Sequence, residues 1–231
     1  MCVDRKIVLN ALKDAFPHTL PIMLGYLFMG VAFGVLLQKN GYDFVWAFFM
    51  ATFIYAGAMQ FVAVGLLAAG TGIWSVFLLS LMVNARQIFY GVGMLGAFAK
   101  MGKKLPYMIH SLTDETFALL NIKKPSAGID KTYFMFFIAL LNHIYWIIGC
   151  VSGALIGSKI VFDTQGIDFI MTAIFIVIFI DQWKATSNHI PAIIGIFGSL
   201  GCLLLFGADY FLLPSMILMT FILGLLKNKL E

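Results

Sequence analysis

The sequence predicts an all-helical protein that crosses a membrane several times. Of its 231 residues, 61% are hydrophobic and 11% are charged, whereas soluble globular domains carry about 25% charged residues. A helix rises about 1.5 Å per residue, so about 20 apolar residues cross the hydrocarbon core of a bilayer. Apolar runs of about that length follow one another along the chain. The composition therefore indicates a polytopic integral membrane protein, with one membrane domain over residues 1–231.

Seven apolar segments are predicted as membrane helices. They cover about residues 17–38, 44–69, 73–99, 133–158, 167–183, 190–207 and 210–226. Glycine-containing turns at residues 70–72 and 207–209 separate neighbouring segments. The fifth segment is short and could be tilted, broken or re-entrant. Seven spans also permit two groups of three in opposite orientation plus one extra helix, an inverted repeat that is common among carriers.

One hydrophilic connection, about residues 100–132, carries lysines at both ends and is predicted to contain a short helix over about residues 113–121. With seven spans, most lysines fall on the side of this connection. The positive-inside rule then places the connection and the C-terminus in the cytoplasm and the N-terminus outside. Arg5, Lys6 and Lys13 oppose this orientation, because they favour a cytoplasmic N-terminus. A re-entrant segment, or an interfacial amphipathic helix over residues 3–16, would remove the conflict.

Arg86 is the first candidate for binding a solute, because it lies near the middle of the segment 73–99. A charged side chain at that depth costs on the order of 3 kcal/mol and is usually kept for a partner, a substrate or a water-filled cavity. Asn84 and Tyr90 lie within two turns of it, and Asn84 and Arg86 do not share a helix face. This pattern favours a local break or a cavity reached from two sides. The alternative is that Arg86 pairs with an internal acid or caps backbone carbonyls.

A second candidate region for binding is the run from Tyr55 to Gln60, which contains Gly57 and other small residues. Small residues allow close helix contacts or an opening of the backbone, and the phenol and amide offer hydrogen bonds that lipid cannot satisfy. We predict a broken helix around Gly57, where Tyr55, Gly57 and Gln60 bind the solute together with Arg86, Asn84 and Tyr90. A carboxylate could be held by Arg86 or by the exposed amides of the broken helix. Ordinary helix packing with two satisfied polar groups is the alternative.

Four titratable residues are candidates for carrying protons: Asp114, Glu115, His143 and Asp181. A histidine titrates near neutral pH, although His143 could equally be satisfied by a neighbouring helix. Asp181 ends the fifth segment, where an interfacial charge is the simpler interpretation.

Several function classes lack the motifs they require. The three cysteines, Cys2, Cys150 and Cys202, have no metal-ligand spacing. The sequence contains no phosphate-binding loop, no nucleophile elbow, no haem-attachment motif and no nucleic-acid-binding motif. We therefore expect no enzyme activity, no cofactor, no metal site, no disulfide and no nucleic-acid partner.

The sequence resembles the AzlC/YgaZ family, the large subunit of branched-chain amino acid exporters. The resemblance rests on residues 20–26 (LPIMLGY), 30–34 (GVAFG), 55–61 (YAGAMQF), 83–91 (VNARQIFYG), 113–119 (TDETFAL) and 181–184 (DQWK). It implies export of leucine, isoleucine, valine and sometimes methionine, driven by the proton gradient. It further implies a multi-pass protein of the bacterial inner membrane that works with a small hydrophobic AzlD-type subunit.

Two other functions fit the residues. A channel for small polar solutes would use Arg86 for electrostatic selectivity. A membrane subunit that mainly scaffolds its partner would use the lysine-rich connection as a docking surface.

Overall fold

The structure, a computed structural model, describes residues 5–159, 176, 179, 180, 183, 184 and 186–230. These residues form helices and their connections and contain no strand, which confirms the predicted all-α class. The chain divides into two units, residues 1–167 and 168–231. The expected single transport domain over both units stays a prediction.

Seven α-helices build the described part of the first unit. They are α1 (Arg5–Lys39), α2 (Phe44–Phe49), α3 (Gly57–Ala68), α4 (Ile73–Phe98), α5 (Leu105–His110), α6 (Asp114–Ile122) and α7 (Lys131–Lys159). A π-helix (Met50–Ile54) continues α2, and a short 3-10 helix (Gly102–Lys104) precedes α5. Both α1 and α7 are long and apolar enough to cross a membrane.

Helices α1 and α7 touch backbone to backbone. A Cβ on Gly30 would lie 2.9 Å from the Gly149 Cα, and a Cβ on Gly34 or Gly153 would collide with carbonyl oxygens of the facing helix. Gly149 and Gly153, which are spaced by four residues on α7, therefore form close helix contacts. Successive contacts move toward the C-terminus on both helices, from Thr19 and Tyr145 to Gly34 and Ala154. The two helices are therefore parallel and begin at the same end of the unit.

Residues 44–68, which comprise α2, the π-helix and α3, form a re-entrant hairpin. The hairpin begins near the C-terminal end of α1, and the Ala51 carbonyl oxygen contacts His143 near the middle of α7. Beyond the break, α3 turns back, because Phe61 packs edge-on against Phe33 near the end of α1 at a centroid distance of 5.6 Å. The predicted single span over residues 44–69 is therefore wrong. Its length suits one crossing, but its backbone reverses at residues 55–56.

The N-terminus lies at the same end of the unit as the lysine-rich connection. Ser126 in that connection donates to Asp14 on α1 through its hydroxyl (2.6 Å) and its backbone amide (3.0 Å). Phe98 at the end of α4 packs in one apolar cluster with Ala15 and Phe134. The predicted N-terminus opposite the connection is thus wrong, because one predicted span is a hairpin. Residues 5–16 are the first turns of α1 rather than a separate interfacial helix.

The connection contains α6, as predicted. Thr113 is its N-cap, and its hydroxyl accepts from the backbone N–H of Thr116 at 3.3 Å.

The second unit contains α8 (Ile190–Tyr210) and α9 (Leu212–Leu230). Gly207 has a positive φ of 74° and breaks α8, which confirms the predicted turn at 207–209. Residues 190–207 are long and apolar enough to cross a membrane. The predicted segment 167–183 lies outside the described residues apart from isolated positions.

We expect Gly34→Ala to destabilise the protein by about 1–3 kcal/mol, because the added methyl group collides with the backbone of α7. Gly25→Ala is the matched control on the same helix, since its methyl group would meet nothing within 4 Å. Thermal unfolding in detergent measures both. Equal stability of the two variants would show that the tight interface is absent.

We also expect cysteines introduced at Arg5 and Lys124 to react with a membrane-impermeant maleimide from one side, and cysteines at Asn40 and Thr71 from the other. If residues 44–68 crossed the membrane once, position 71 would instead be labelled from the side of position 5. Labelling in sealed right-side-out and inverted vesicles distinguishes the two arrangements.

Candidate functional site

The hairpin is broken at Tyr55 and Ala56, as predicted for the region around Gly57. Tyr55 is a non-glycine residue in the left-handed conformation, with φ of 42°. After the break α3 begins at Gly57, and its N-cap, Ala56, provides no side-chain hydrogen bond. The first amides of a helix carry a partial positive charge and the last carbonyls a partial negative charge. The break therefore brings the positive end of α3 next to the negative end of the π-helix.

Two histidines hold the carbonyl end of this break. The Nε2 of His143 lies 3.3 Å from the Ala51 carbonyl oxygen, and the Nε2 of His110 lies 3.0 Å from that of Thr52. A carbonyl oxygen only accepts, so both Nε2 atoms carry hydrogen. The ring centroids are 5.7 Å apart. The histidines thus satisfy two neighbouring backbone groups of the hairpin.

Two tyrosines fix the His143 ring. Tyr55 stacks on it at a centroid distance of 4.1 Å, and the Tyr107 hydroxyl lies 3.0 Å from its Nδ1. Burial raises the pKa of Tyr107 to about 12, so this hydroxyl stays protonated near neutral pH. Because Nε2 carries hydrogen in neutral His143, Nδ1 accepts from Tyr107.

A chain of polar side chains links α1, α6 and α7 beside the break. Tyr26 on α1 donates to Glu115 Oε2 at 2.7 Å, and its hydroxyl lies 2.7 Å from Thr113 Oγ1. Thr113 donates to Thr116 at 3.0 Å, and the Asn142 amide donates to Thr116 at 3.1 Å. The structure therefore brings two predicted proton-coupling residues, Glu115 and His143, to one region.

Unsatisfied polar atoms cluster at the break. Gln60 is fully buried in the first turn of α3; its carbonyl oxygen accepts from Trp146 Nε1 at 2.9 Å, but its Nε2 has no partner. Within the described part of the chain, four buried side-chain atoms lack a hydrogen-bond partner: Thr52 Oγ1, Tyr55 Oη, Gln60 Nε2 and Asn142 Oδ1. Leaving such a group unsatisfied costs about 1–3 kcal/mol. All four lie on the hairpin or on the facing part of α7.

Helix α4 carries the other predicted binding residues, Asn84, Arg86 and Tyr90. It is helical from Ile73 to Phe98, so the predicted local break at Asn84 and Arg86 is wrong; one unbroken helix presents them in different directions. The Arg86 side chain lies outside what the structure describes. Tyr90 stacks on Phe117 at 4.5 Å and belongs to the apolar packing at the connection end.

Two further residues, Asp114 and Asp181, are predicted to couple protons. Asp114 is the first residue of α6, where an acidic side chain stabilises the helix end. Asp181 falls outside the described residues.

Sequence reasoning missed His110 and Tyr107. Both lie in the hydrophilic connection, and no spacing along the chain relates His110 to Thr52, which is 58 positions away. A histidine and a tyrosine three residues apart, on one face of a short helix, were the only available signal.

Comparison with known proteins identifies a family and several relatives of the chain. The AzlC protein family matches residues 21–160, which include the whole hairpin. A membrane protein of Helicobacter pylori strain J99 is 54% identical over 96% of this chain and 98% of its own length. The branched-chain amino acid transport protein AzlC of Bacillus subtilis is 40% identical over 98% of this chain and 89% of its own length.

A more distant relative is the inner membrane protein YgaZ of Escherichia coli, which is 28% identical over 68% of this chain and 67% of its own length. No solved structure matches the chain. Because the family match covers more than half of the chain and the Bacillus relative aligns over nearly all of it, this membrane protein belongs to the AzlC family.

Proposed function

We propose that the protein is a secondary transporter that exports branched-chain amino acids through the bacterial inner membrane. Leucine, isoleucine and valine are the expected substrates, with methionine as a further one. Membership of the AzlC family and the transport role named for the Bacillus subtilis relative support this function. The observation that carries it is the group of unsatisfied polar atoms at the helix break.

The break suits a zwitterion. A carboxylate needs donors, and it would find them in the first amides of α3 and in Gln60 Nε2. An ammonium group needs acceptors, which the carbonyl end of the π-helix and Asn142 Oδ1 provide. A free amino acid brings both charges and would satisfy both sets at once.

Apolar residues around the break suit a hydrocarbon side chain. Met59, Phe61 and Trp146 are buried there, and the Trp146 ring would lie 3.4 Å from a Cβ on Gly57. Apolar contact separates substrates that differ by one methylene by only about 1–3 kcal/mol. The site should therefore accept several aliphatic amino acids.

The sequence supports further roles for α4, for the titratable residues and for a partner subunit. Arg86, with Asn84 and Tyr90 on α4, is proposed to attract the substrate carboxylate along its path. The proton gradient drives export, with Asp114, Glu115, His143 and Asp181 as candidate carriers, and a small hydrophobic AzlD-type subunit completes the transporter.

The proposed orientation of the protein in the membrane rests on the distribution of lysine and arginine residues. The end where α1 and α7 begin carries Arg5, Lys6, Lys13, Lys100, Lys103, Lys104, Lys123, Lys124 and Lys131, whereas the other end carries Lys39 and Lys159. The positive-inside rule places the first end in the cytoplasm. The C-terminus is also proposed to be cytoplasmic.

In a strain that lacks the transporter and is loaded with a leucine-containing dipeptide, we expect expression of the chain with its small subunit to lower intracellular leucine. An uncoupler should abolish the effect. Leucine levels that stay unchanged on expression would reject the proposed export. Release that rises linearly with concentration and resists the uncoupler would indicate a channel.

Gln60→Glu should reduce leucine transport at least about tenfold, the factor expected for losing one hydrogen bond to a charged group. The variant keeps an acceptor for Trp146 but replaces the Nε2 donor by a negative charge that repels the substrate carboxylate. Gln38→Glu is the control. It makes the same chemical change near the C-terminal end of α1, away from the break, and should transport normally. Leucine counterflow at equal protein abundance measures both; full activity of Gln60→Glu would place the carboxylate elsewhere.

A further inference from the structure

His110 and His143 lie side by side at the carbonyl end of the helix break, with ring centroids 5.7 Å apart. Each imidazole donates to one of two consecutive carbonyls, those of Thr52 and Ala51. His110 is exposed, whereas His143 is 6% exposed. One member of the pair is therefore accessible at the protein surface, and the other is buried beside the proposed substrate site.

Two tyrosines from different elements contact the His143 ring. Tyr107 on α5 contacts its Nδ1 and Tyr55 on the hairpin stacks on its ring. Beyond Tyr55, the described titratable side chains include Tyr26 on α1 and Glu115 on α6, which are hydrogen-bonded to each other.

A proton can reach His143 through Tyr107, which is partly exposed. The Tyr107 oxygen takes a proton from a hydronium ion, which leaves as water, while its own hydroxyl proton passes to His143 Nδ1. The Tyr107 O–H bond breaks as the N–H bond forms, and the products are a neutral tyrosine and an imidazolium. The imidazolium then donates to Tyr107 through Nδ1 and to Ala51 through Nε2. With ring centroids 5.7 Å apart, His110 and His143 repel each other when both are charged, so the pair carries one extra proton.

We propose that the His110–His143 pair carries the coupled proton, and that the protonated pair and the ammonium group of the substrate exclude each other at the carbonyl end of the break. This inference rests on the proposed transport of amino acids. The partial negative charge of the helix end attracts either cation, and binding of one neutralises it for the other. Mutual exclusion at one site makes proton entry and amino acid exit alternate, as an exchange transporter requires.

The test compares two transport assays in vesicles from cells that express the full chain with its small subunit. Leucine counterflow, with the same pH on both sides, reports binding and movement of substrate. Leucine accumulation driven by an imposed pH gradient reports coupling. His143→Gln and His110→Gln keep an amide donor near the position of Nε2 but cannot titrate. His18→Gln on α1 removes a histidine that contacts Phe134 away from the break and serves as the matched control.

In the wild type and in His18→Gln, we expect the apparent KM for counterflow to rise at least about fivefold between pH 8 and pH 5.5, because the protonated pair opposes binding of the ammonium group. In His143→Gln, this KM should stay constant and gradient-driven accumulation should fall to background. His110→Gln should weaken both pH effects. His143→Ala, which also loses the donor to Ala51, should lose counterflow as well.

Gradient-driven accumulation by His143→Gln at wild-type level would overturn the inference. Loss of counterflow in a folded, abundant His143→Gln protein would overturn it too, because the histidine would then act only in holding the backbone. Absence of leucine counterflow in the wild type would instead refute the proposed function itself.

Discussion

The close approach of α1 and α7 determines how the rest of the first unit is arranged. Glycines on both helices remove the side chains that would keep the backbones apart. Because the contact is continuous, it fixes the register and the parallel direction of the two helices. That register places Tyr26 beside Trp146, at a centroid distance of 5.4 Å, and Thr19 beside Tyr145. The polar groups of α7 thereby lie at the same depth as residues 55–56, where the hairpin reverses direction.

Irregular backbone at membrane depth persists only where protein groups satisfy it. In this protein the two histidines perform that role on the carbonyl side, while the amide side of α3 has no capping side chain. The carbonyl end of the break therefore has side-chain donors in place, whereas the amide end has no side-chain cap. This arrangement also explains why a short helix of the hydrophilic connection reaches the hairpin: α5 supplies both His110 and Tyr107.

Local properties of the sequence were enough to predict much of this structure. Segment lengths, the short helix α6 and the small residues around Gly57 all depend on neighbouring positions. The direction in which a segment runs depends on tertiary contacts. Hydropathy is the same whether residues 44–69 cross the membrane once or form two half-helices that return to the same side. The error at Asn84 and Arg86 has a related cause, since an intact helix can present polar residues to different neighbours. His110 was missed because only the tertiary fold brings it to Thr52.

Buried polar atoms at the break that have no protein partner cost free energy while they remain unsatisfied. On the proposed function, a bound zwitterion would lower that cost, so the protein would adopt this arrangement more readily with cargo than without it. Resistance to leakage would then arise from the same atoms that are proposed to recognise the solute.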